Sequence, residues 1–360
     1  MIDNICEKIP LKSRRIFGSG GSRTIIVITP TNQVYKFFPV FTYVDKNTPK
    51  DTENQLKQFK LEIEIQKKLT KQVIDKHLSP HVVDLIDSKY CKNKPDFFFK
   101  KCPSYKSYLT SKGKPDKECM YILKGHPVIL KPGFMIAELS YCPLSMSQII
   151  KTAMRKSNKS LENTLNRAIF QIVFTLAVIQ KKFPYFVHHD CFMRNILATE
   201  ENGSPNDYYR YCYGNFTFDV PVSGFYLKLN DFGLTNLNQK LHESPLLVKS
   251  PCEDIFNILY DMYDGGNLGT ESTMSIAKAR HNERKERFLN KYFSQFINVK
   301  QIREIIKKDK KKPLDWDWRR MYDPALISFF GVKEPKDYLK HFVDIYPKKV
   351  EHHIVETYEL

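Results

Sequence analysis

The sequence predicts an α+β protein, with an antiparallel sheet and one helix in its N-terminal part and a mainly helical part after it. Three observations carry this. Residues 16–38 hold apolar and β-branched runs separated by a glycine cluster and a Pro-Thr-Asn turn. Residues 53–69 place Leu56, Phe59, Ile63 and Leu69 along one side at helical spacing. Residues 165–181 are apolar on nearly every side, as a buried helix requires.

The chain has 360 residues, 57 Lys+Arg against 40 Asp+Glu, a formal charge of +17 and 42% hydrophobic residues. The length suits one large or two modest domains, and the apolar fraction excludes wholesale disorder. No run reaches the roughly 18 apolar residues of a membrane span; the most apolar stretch, residues 168–179, is interrupted by Gln171 and Thr175. The opening MIDNICEKIP lacks a basic segment followed by an apolar one, so a cytoplasmic location is expected. The 8 cysteines are scattered without a C-x-x-C pair, which predicts reduced thiols and no zinc site. Surplus positive charge suits nucleic acid, an anionic surface or acidic protein partners, and charge alone does not choose among them.

In order along the chain, residues 16–38 read as strand, Gly-rich loop, strand, turn and strand. Gly18, Gly20 and Gly21, with Ser19 between them, let backbone N–H groups approach a phosphate; a Gly-rich hairpin turn is the alternative. Lys36 lies on the strand returning from that loop, past Ile25, where its ammonium could reach the same phosphates. On the helix of residues 53–69, a Glu facing Lys36 would orient the amine and keep it protonated. Glu62 is preferred, since Ile65 and Leu69 follow on its own face, with Glu64 in reserve.

Residues 80–87 and 133–139 read as strands. The segment between them is too long for a hairpin loop and reads as an insertion, basic around Lys92, Lys94, Lys100, Lys101, Lys112, Lys114 and Lys117. It is either a solvated loop or a docking surface for an acidic partner. The buried helix of residues 165–181 runs into VHHDCFMRNILA, where Asp190 and Asn195 precede a strand. Residues 226–233, YLKLNDFG, form an alternating strand that ends in Asp231-Phe232-Gly233. Two carboxylates and an Asn at strand ends can bind Mg²⁺ through oxygens and accept a proton from a hydroxyl.

These motifs, in this order, resemble the protein kinase superfamily over residues 16–263: Gly-rich loop, strand Lys, helix Glu, H-x-D-x-x-x-x-N and D-F-G. The resemblance implies a bilobal kinase-like fold with ATP in the cleft. The N-lobe would cover residues 1–139 with a basic insertion at about 89–132. The C-lobe would cover 140–360, with an insertion at about 199–225 and a divergent part from about 267. It also implies that Lys36 holds the α- and β-phosphates and pairs with Glu62, while Asp190 orients and deprotonates the acceptor hydroxyl. Asn195 and Asp231 would hold Mg²⁺, or Mn²⁺ in its place. The backbones of Glu138 and Ser140 would bond adenine, Ala137 would sit at the gatekeeper position, and Asp254 would brace the catalytic loop.

The chain departs from the family in several places. Arg23 replaces the third glycine of the loop. Phe192 stands where Ser/Thr kinases carry a Lys, and Arg194 resembles the tyrosine-kinase arrangement, which leaves the acceptor open. His189 replaces the Arg that senses a phosphorylated activation loop. No A-P-E follows Gly233, and Asp231 and Asp254 stand too close in sequence for the usual activation segment. In the second insertion, aromatics from Tyr209 to Phe218 recur at strand spacing and predict an added hairpin. Together these features look like the divergent kinases of large DNA viruses, which implies Ser/Thr phosphorylation in host cytoplasm or virion.

Beyond residue 266, residues 275–296 and 299–311 read as helices, the second ending in a Lys cluster at 307–312 that Pro313 stops. That cluster is a solvated face or an anion-binding patch. Trp316 and Trp318 read as core anchors, and His352-His353 receive no role. An ATP- and Mg²⁺-dependent protein kinase acting on protein substrates is the expected function. A small-molecule phosphotransferase usually lacks an intact D-F-G, and a pseudokinase scaffold typically loses Lys36, Asp190 or Asp231 equivalents.

Overall fold

The computed structural model describes residues 6, 15–17, 25–43, 49–92, 121–123, 126–235, 237, 252–264, 283–301 and 331–360. Their strands and helices make a mixed α+β protein whose chain divides into two compact units. One comprises Met1–Lys67 and Asp84–Tyr141, the other Lys68–Val83 and Cys142–Leu360.

The first unit is a sheet with one helix. Strands β1 (Arg15–Phe17), β2 (Ile25–Ile28), β3 (Val34–Tyr43), β4 (Leu85–Cys91), β5 (Tyr121–Leu123) and β6 (His126–Leu139) pair antiparallel in the order β1-β2-β3-β6-β4, with β5 on the far end of β6. A turn closes β2 onto β3: Asn32 takes the left-handed conformation (φ 60°), and its N–H donates to Thr29 O at 3.0 Å. Side chains alternate along β3. Tyr35 and Phe37 pack with Val27, Phe134 and Ile136. On the opposite face Phe38 meets Phe59 of helix α1 (Pro49–Leu69) at a ring separation of 5.0 Å. Both faces of β3 are covered at residues 34–38, which explains why VYKFF reads as a nearly unbroken apolar run rather than an alternating one.

Three expectations change here. Strand β4 begins at Leu85 rather than residue 80, because Val82 instead forms a parallel bridge to Leu229, and the Val83 N–H donates to Leu229 O at 2.9 Å. The predicted insertion contributes to the sheet at both its ends: β4 runs on to Cys91, while β5 and the first half of β6 form a hairpin over Tyr121–Val128. Lys92 is exposed, and the other lysines named in the insertion lie outside the described residues. The cysteines are not all reduced: Cys6 and Cys91 form a disulfide across 85 residues, with their Cα atoms 5.9 Å apart. Folding brings Cys6 beside the end of β4, a proximity that spacing in the sequence does not encode.

The second unit is built on helix α3 (Asn158–Lys182), preceded by α2 (Met146–Met154) and followed by α4 (Glu253–Asp264), α5 (Glu283–Phe293) and the short α6 (Pro335–Tyr338). The α2 N-terminus is closed by a capping box, Ser145 with Gln148. Every residue of α3 from Arg167 to Ile179 is buried, Gln171 and Thr175 included. Gln171 escapes the cost of burial through its bonds to Phe225 O (3.0 Å) and the Leu227 N–H (2.9 Å), and Thr175 through Ser79 (2.8 Å). The expected helix at 275–296 spans Glu283–Phe293 of the described residues, and that at 299–311 is seen over 299–301. The Lys cluster, Trp316 and Trp318 lie outside them.

Two small sheets complete this unit. One orders β11 (Gly224–Leu229), β8 (Ile196–Glu201) and β7 (Leu144–Ser145). The other orders β10 (Phe216–Pro221), β9 (Asp207–Tyr213) and β12 (His353–Glu359). The aromatic insertion is therefore the expected hairpin, turning at Gly214 (φ 55°). Its parallel partner β12 comes from the end of the chain. Tyr211 and Phe218 of the hairpin pack edge-on against Phe170 of α3, at 5.3 and 5.0 Å. His352, given no role from sequence, stacks on Tyr208 at 3.6 Å and bonds the fully buried carboxylate of Asp219, which Arg210 also grips (2.8 and 2.9 Å).

Candidate active site

In the first unit the site is a buried ion pair. Lys36 and Glu62 are 3% and 5% exposed, and Lys36 Nζ donates to Glu62 Oε1 at 2.5 Å. Glu64 is exposed. Residues two apart on a helix project to nearly opposite sides, so only one of the two glutamates can face β3. Ala137 lies in register with Lys36 and shares its face of the sheet, so the smallest side chain available stands opposite the lysine. Glu138 is flanked by Tyr35 and Asp87, within an interior strand. Ser140 differs from expectation. Its N–H donates to Asp84 O at 2.9 Å and its hydroxyl accepts from the Asp84 N–H at 3.0 Å, so the amide expected to bond adenine closes the β4–β6 end of the sheet instead. Gly18, Ser19, Gly20, Gly21 and Arg23 lie outside the described residues, and of Ile25 only the backbone is described, at the start of β2.

In the second unit the catalytic-loop motif folds into a 3₁₀ turn, Met193–Asn195, that leads directly into β8. Asn195 Nδ2 donates to Asp190 Oδ2 at 2.6 Å and to Asp190 O at 2.8 Å, which leaves its Oδ1 as an acceptor. Arg194 forms an ion pair with Asp190 Oδ1, and its guanidinium sits 4.6 Å from the Phe192 ring centre. Burial raises the Asp190 carboxyl above the ordinary value, Arg194 and Asn195 pull it down, and the neighbouring Asp231 carboxylate pushes it up. The Asn230 N–H donates to Asn195 O at 3.0 Å, tying the end of the loop to the residue before Asp231.

His188 is buried and neutral, held to about 4 by desolvation. Its Nε2 bonds Asn230 O (3.0 Å) while Nδ1 accepts the Asp190 N–H (3.3 Å), which assigns the proton to Nε2. His189 and Asp231 both adopt left-handed backbone, φ 62° and 66°. Such residues persist only where their surroundings hold them, and they concentrate at functional sites.

For His189 and the loop around it, helix α4 supplies that hold through three carboxylates. Asp254 accepts the His188 N–H at 2.8 Å and the His189 N–H at 3.1 Å. Burial and the adjacent Glu253 push the Asp254 carboxyl up to about 7, while the two N–H donors draw it down. Glu253 Oε1 meets His189 Nδ1 at 2.8 Å, and Asp261 accepts the Met193 N–H at 2.7 Å. Sequence reasoning found Asp254 and missed Glu253 and Asp261. The available signal was the recurrence of acids along the otherwise apolar EDIFNILYDMYD.

No protein-family model matches the chain. An Acanthamoeba polyphaga mimivirus protein named "Putative serine/threonine-protein kinase R301" is 28% identical over 93% of this chain and 89% of its own length. A second mimivirus protein of the same naming, R400, is 36% identical over 24% of this chain and 19% of its own. With its motifs in the superfamily's order and this likeness along nearly its whole length, the chain resembles the protein kinase superfamily in the divergent form found in large DNA viruses.

Proposed function

We propose that the chain is an ATP- and Mg²⁺-dependent protein kinase that phosphorylates Ser and Thr hydroxyls, with Asp190 as the base. The observation that carries this reading is the Asp190 carboxylate. It is oriented by Asn195, beside Asp231, on a loop that three α4 carboxylates hold in a strained shape. A base must lie within hydrogen-bond reach of the hydroxyl with its lone pairs aimed, and this loop is fixed for that purpose. The Asn195 Oδ1 and the Asp231 carboxylate are the hard oxygen donors that Mg²⁺ takes one or two at a time alongside phosphate oxygens, so these residues fit the metal. Among the described residues no larger His, Cys, Asp or Glu cluster forms a metal site of its own. Bound Mg²⁺ would offset the charge of the transferring phosphoryl group.

In the same reading Lys36 contacts the α- and β-phosphates, and Glu62 keeps its ammonium charged despite burial. Arg194 positions Asp190 and faces the developing charge. Adenine meets the Glu138 carbonyl, while the Ser140 amide stays in the sheet. No helix among the described residues is long and apolar enough to cross a membrane. The test is transfer of labelled γ-phosphate from Mg·ATP to casein and myelin basic protein, comparing the wild type with Asp190→Asn and identifying the modified residue. Phosphoserine or phosphothreonine that vanishes in the variant upholds the proposal. Phosphotyrosine corrects the acceptor, and no transfer to any protein refutes it.

A further inference from the structure

A groove of about 620 Å³ lies in the second unit between residues 294–300, which follow α5, and residues 331–341 around α6. One hydroxyl ties its two walls: Tyr338 Oη donates to Phe296 O at 2.9 Å and accepts the Lys333 N–H at 3.0 Å. The His341 ring stands edge-on to Phe296 at 4.8 Å. Burial lowers the His341 pKa, so at neutral pH it is an uncharged aromatic wall. Gly331 makes the turn into the second wall with φ 68°, a backbone conformation that side-chain-bearing residues rarely adopt.

The charge of this groove is one-sided. Lys300, Lys333 and Lys340 line it, all exposed, and among the described residues none of them is in an ion pair; Asp337 is the single carboxylate in the lining. The nearby Lys336 is already neutralised by Glu334 at 2.8 Å, outside the lining. An aromatic wall with three ammonium groups against a single carboxylate fits an extended segment that carries carboxylates and a few apolar side chains. Nucleic-acid affinity comes largely from neutralising phosphates, and three lysines can neutralise only a few.

We propose that this groove binds an acidic peptide segment of the protein that the kinase phosphorylates, holding it away from the residues that act on the hydroxyl. The identification of the occupant as substrate rests on the kinase reading above; the binding itself does not. A substrate-holding surface of this kind would offset the short stretch between D-F-G and α4, which leaves little chain for peptide recognition.

The experiment has two readouts on the full chain. In the first, a fluorescein-labelled Glu/Asp-rich peptide is titrated and followed by anisotropy, with a Lys-rich peptide and single-stranded DNA for comparison. The combined variant Lys300→Glu, Lys333→Glu, Lys340→Glu should bind the acidic peptide at least about tenfold more weakly than wild type, and the corresponding Gln variant should fall between. Equal binding by wild type and variants, or tighter lysine-dependent binding of DNA, overturns the proposal. In the second, a Ser peptide with an acidic extension should show a lower KM than the bare peptide in wild type only, with kcat on the bare peptide unchanged in the variants. Equal KM for both peptides in wild type overturns the occupant's identity as substrate. Lysine-dependent binding with no phosphotransfer to any protein overturns the kinase reading and leaves the groove upheld.

Discussion

Replacing Asp254 by Asn tests whether helix α4 holds the catalytic loop in shape. The carboxylate accepts two backbone N–H groups, from His188 at 2.8 Å and His189 at 3.1 Å, and is 0% exposed. Asparagine keeps one acceptor oxygen and turns an NH₂ toward the other amide, so one buried donor loses its partner. A buried donor left without its acceptor costs about 1–3 kcal/mol. The left-handed backbone of His189, φ 62°, costs about 1–3 kcal/mol and is sustained by these same bonds, so relaxation of the loop recovers part of the loss. A net destabilisation of about 2 kcal/mol is expected, read as a lowered urea midpoint by circular dichroism with the m-value unchanged. Phosphotransfer should fall further than stability does, because His188 and Asp190 are displaced together. An unfolding free energy within about 0.5 kcal/mol of wild type, the range of an ordinary surface substitution, would refute the assignment of Asp254 as the brace.

Two other outcomes follow from the same geometry. Arg194→Gln removes a partner that draws the Asp190 carboxyl down, so the acid limb of kcat/KM should move to higher pH. The Arg194 side chain is 40% exposed and therefore partly screened, so the move should be modest, and an unmoved limb would show that Arg194 does not set the ionisation of Asp190. His81 is buried, bonded through Nδ1 to Leu227 O (2.8 Å) and through Nε2 to Tyr211 Oη (3.0 Å), and its pKa is lowered to about 3. The unfolded chain takes up this proton near pH 6.5 and the folded one does not. Its contribution is therefore complete above pH 6.5 and lost as the pH falls toward 3. Between pH 7 and pH 5 the loss is about 2 kcal/mol, and His81→Gln should flatten the pH dependence of urea stability by that amount.

Much of the site was legible because its chemistry is written in short spacings. Asp190 and Asn195 stand five residues apart and bond each other, and Asp231 follows by two residues the strand that Leu227 and Leu229 mark by alternation. Helix α3 was legible from an apolar surface on every side, and the hairpin from aromatics at strand spacing. The strand β12 was not read from the sequence, because HIVETYE places Ile354 beside Val355 and Glu356 beside Thr357 instead of alternating. The parallel pairing with β9 joins residues 353–359 to 207–212, and nothing in either segment names the other. The same holds for His352, whose partners Tyr208 and Asp219 lie across that pairing.

By itself the sequence determined the α+β class, the order of the elements around the site motifs and the identity of the ionisable groups, because propensity, periodicity and turn chemistry act over a few residues. Only the tertiary structure decided which groups act together. It chose Glu62 over Glu64 through the face that α1 turns to β3, and it joined Cys6 to Cys91 across 85 residues. It committed the Ser140 amide to Asp84, and it gathered Glu253, Asp254 and Asp261 beneath the catalytic loop. In each case the deciding quantity is a distance through space. Burial makes that distance matter, since a desolvated charge or N–H must find a partner wherever the fold has brought one.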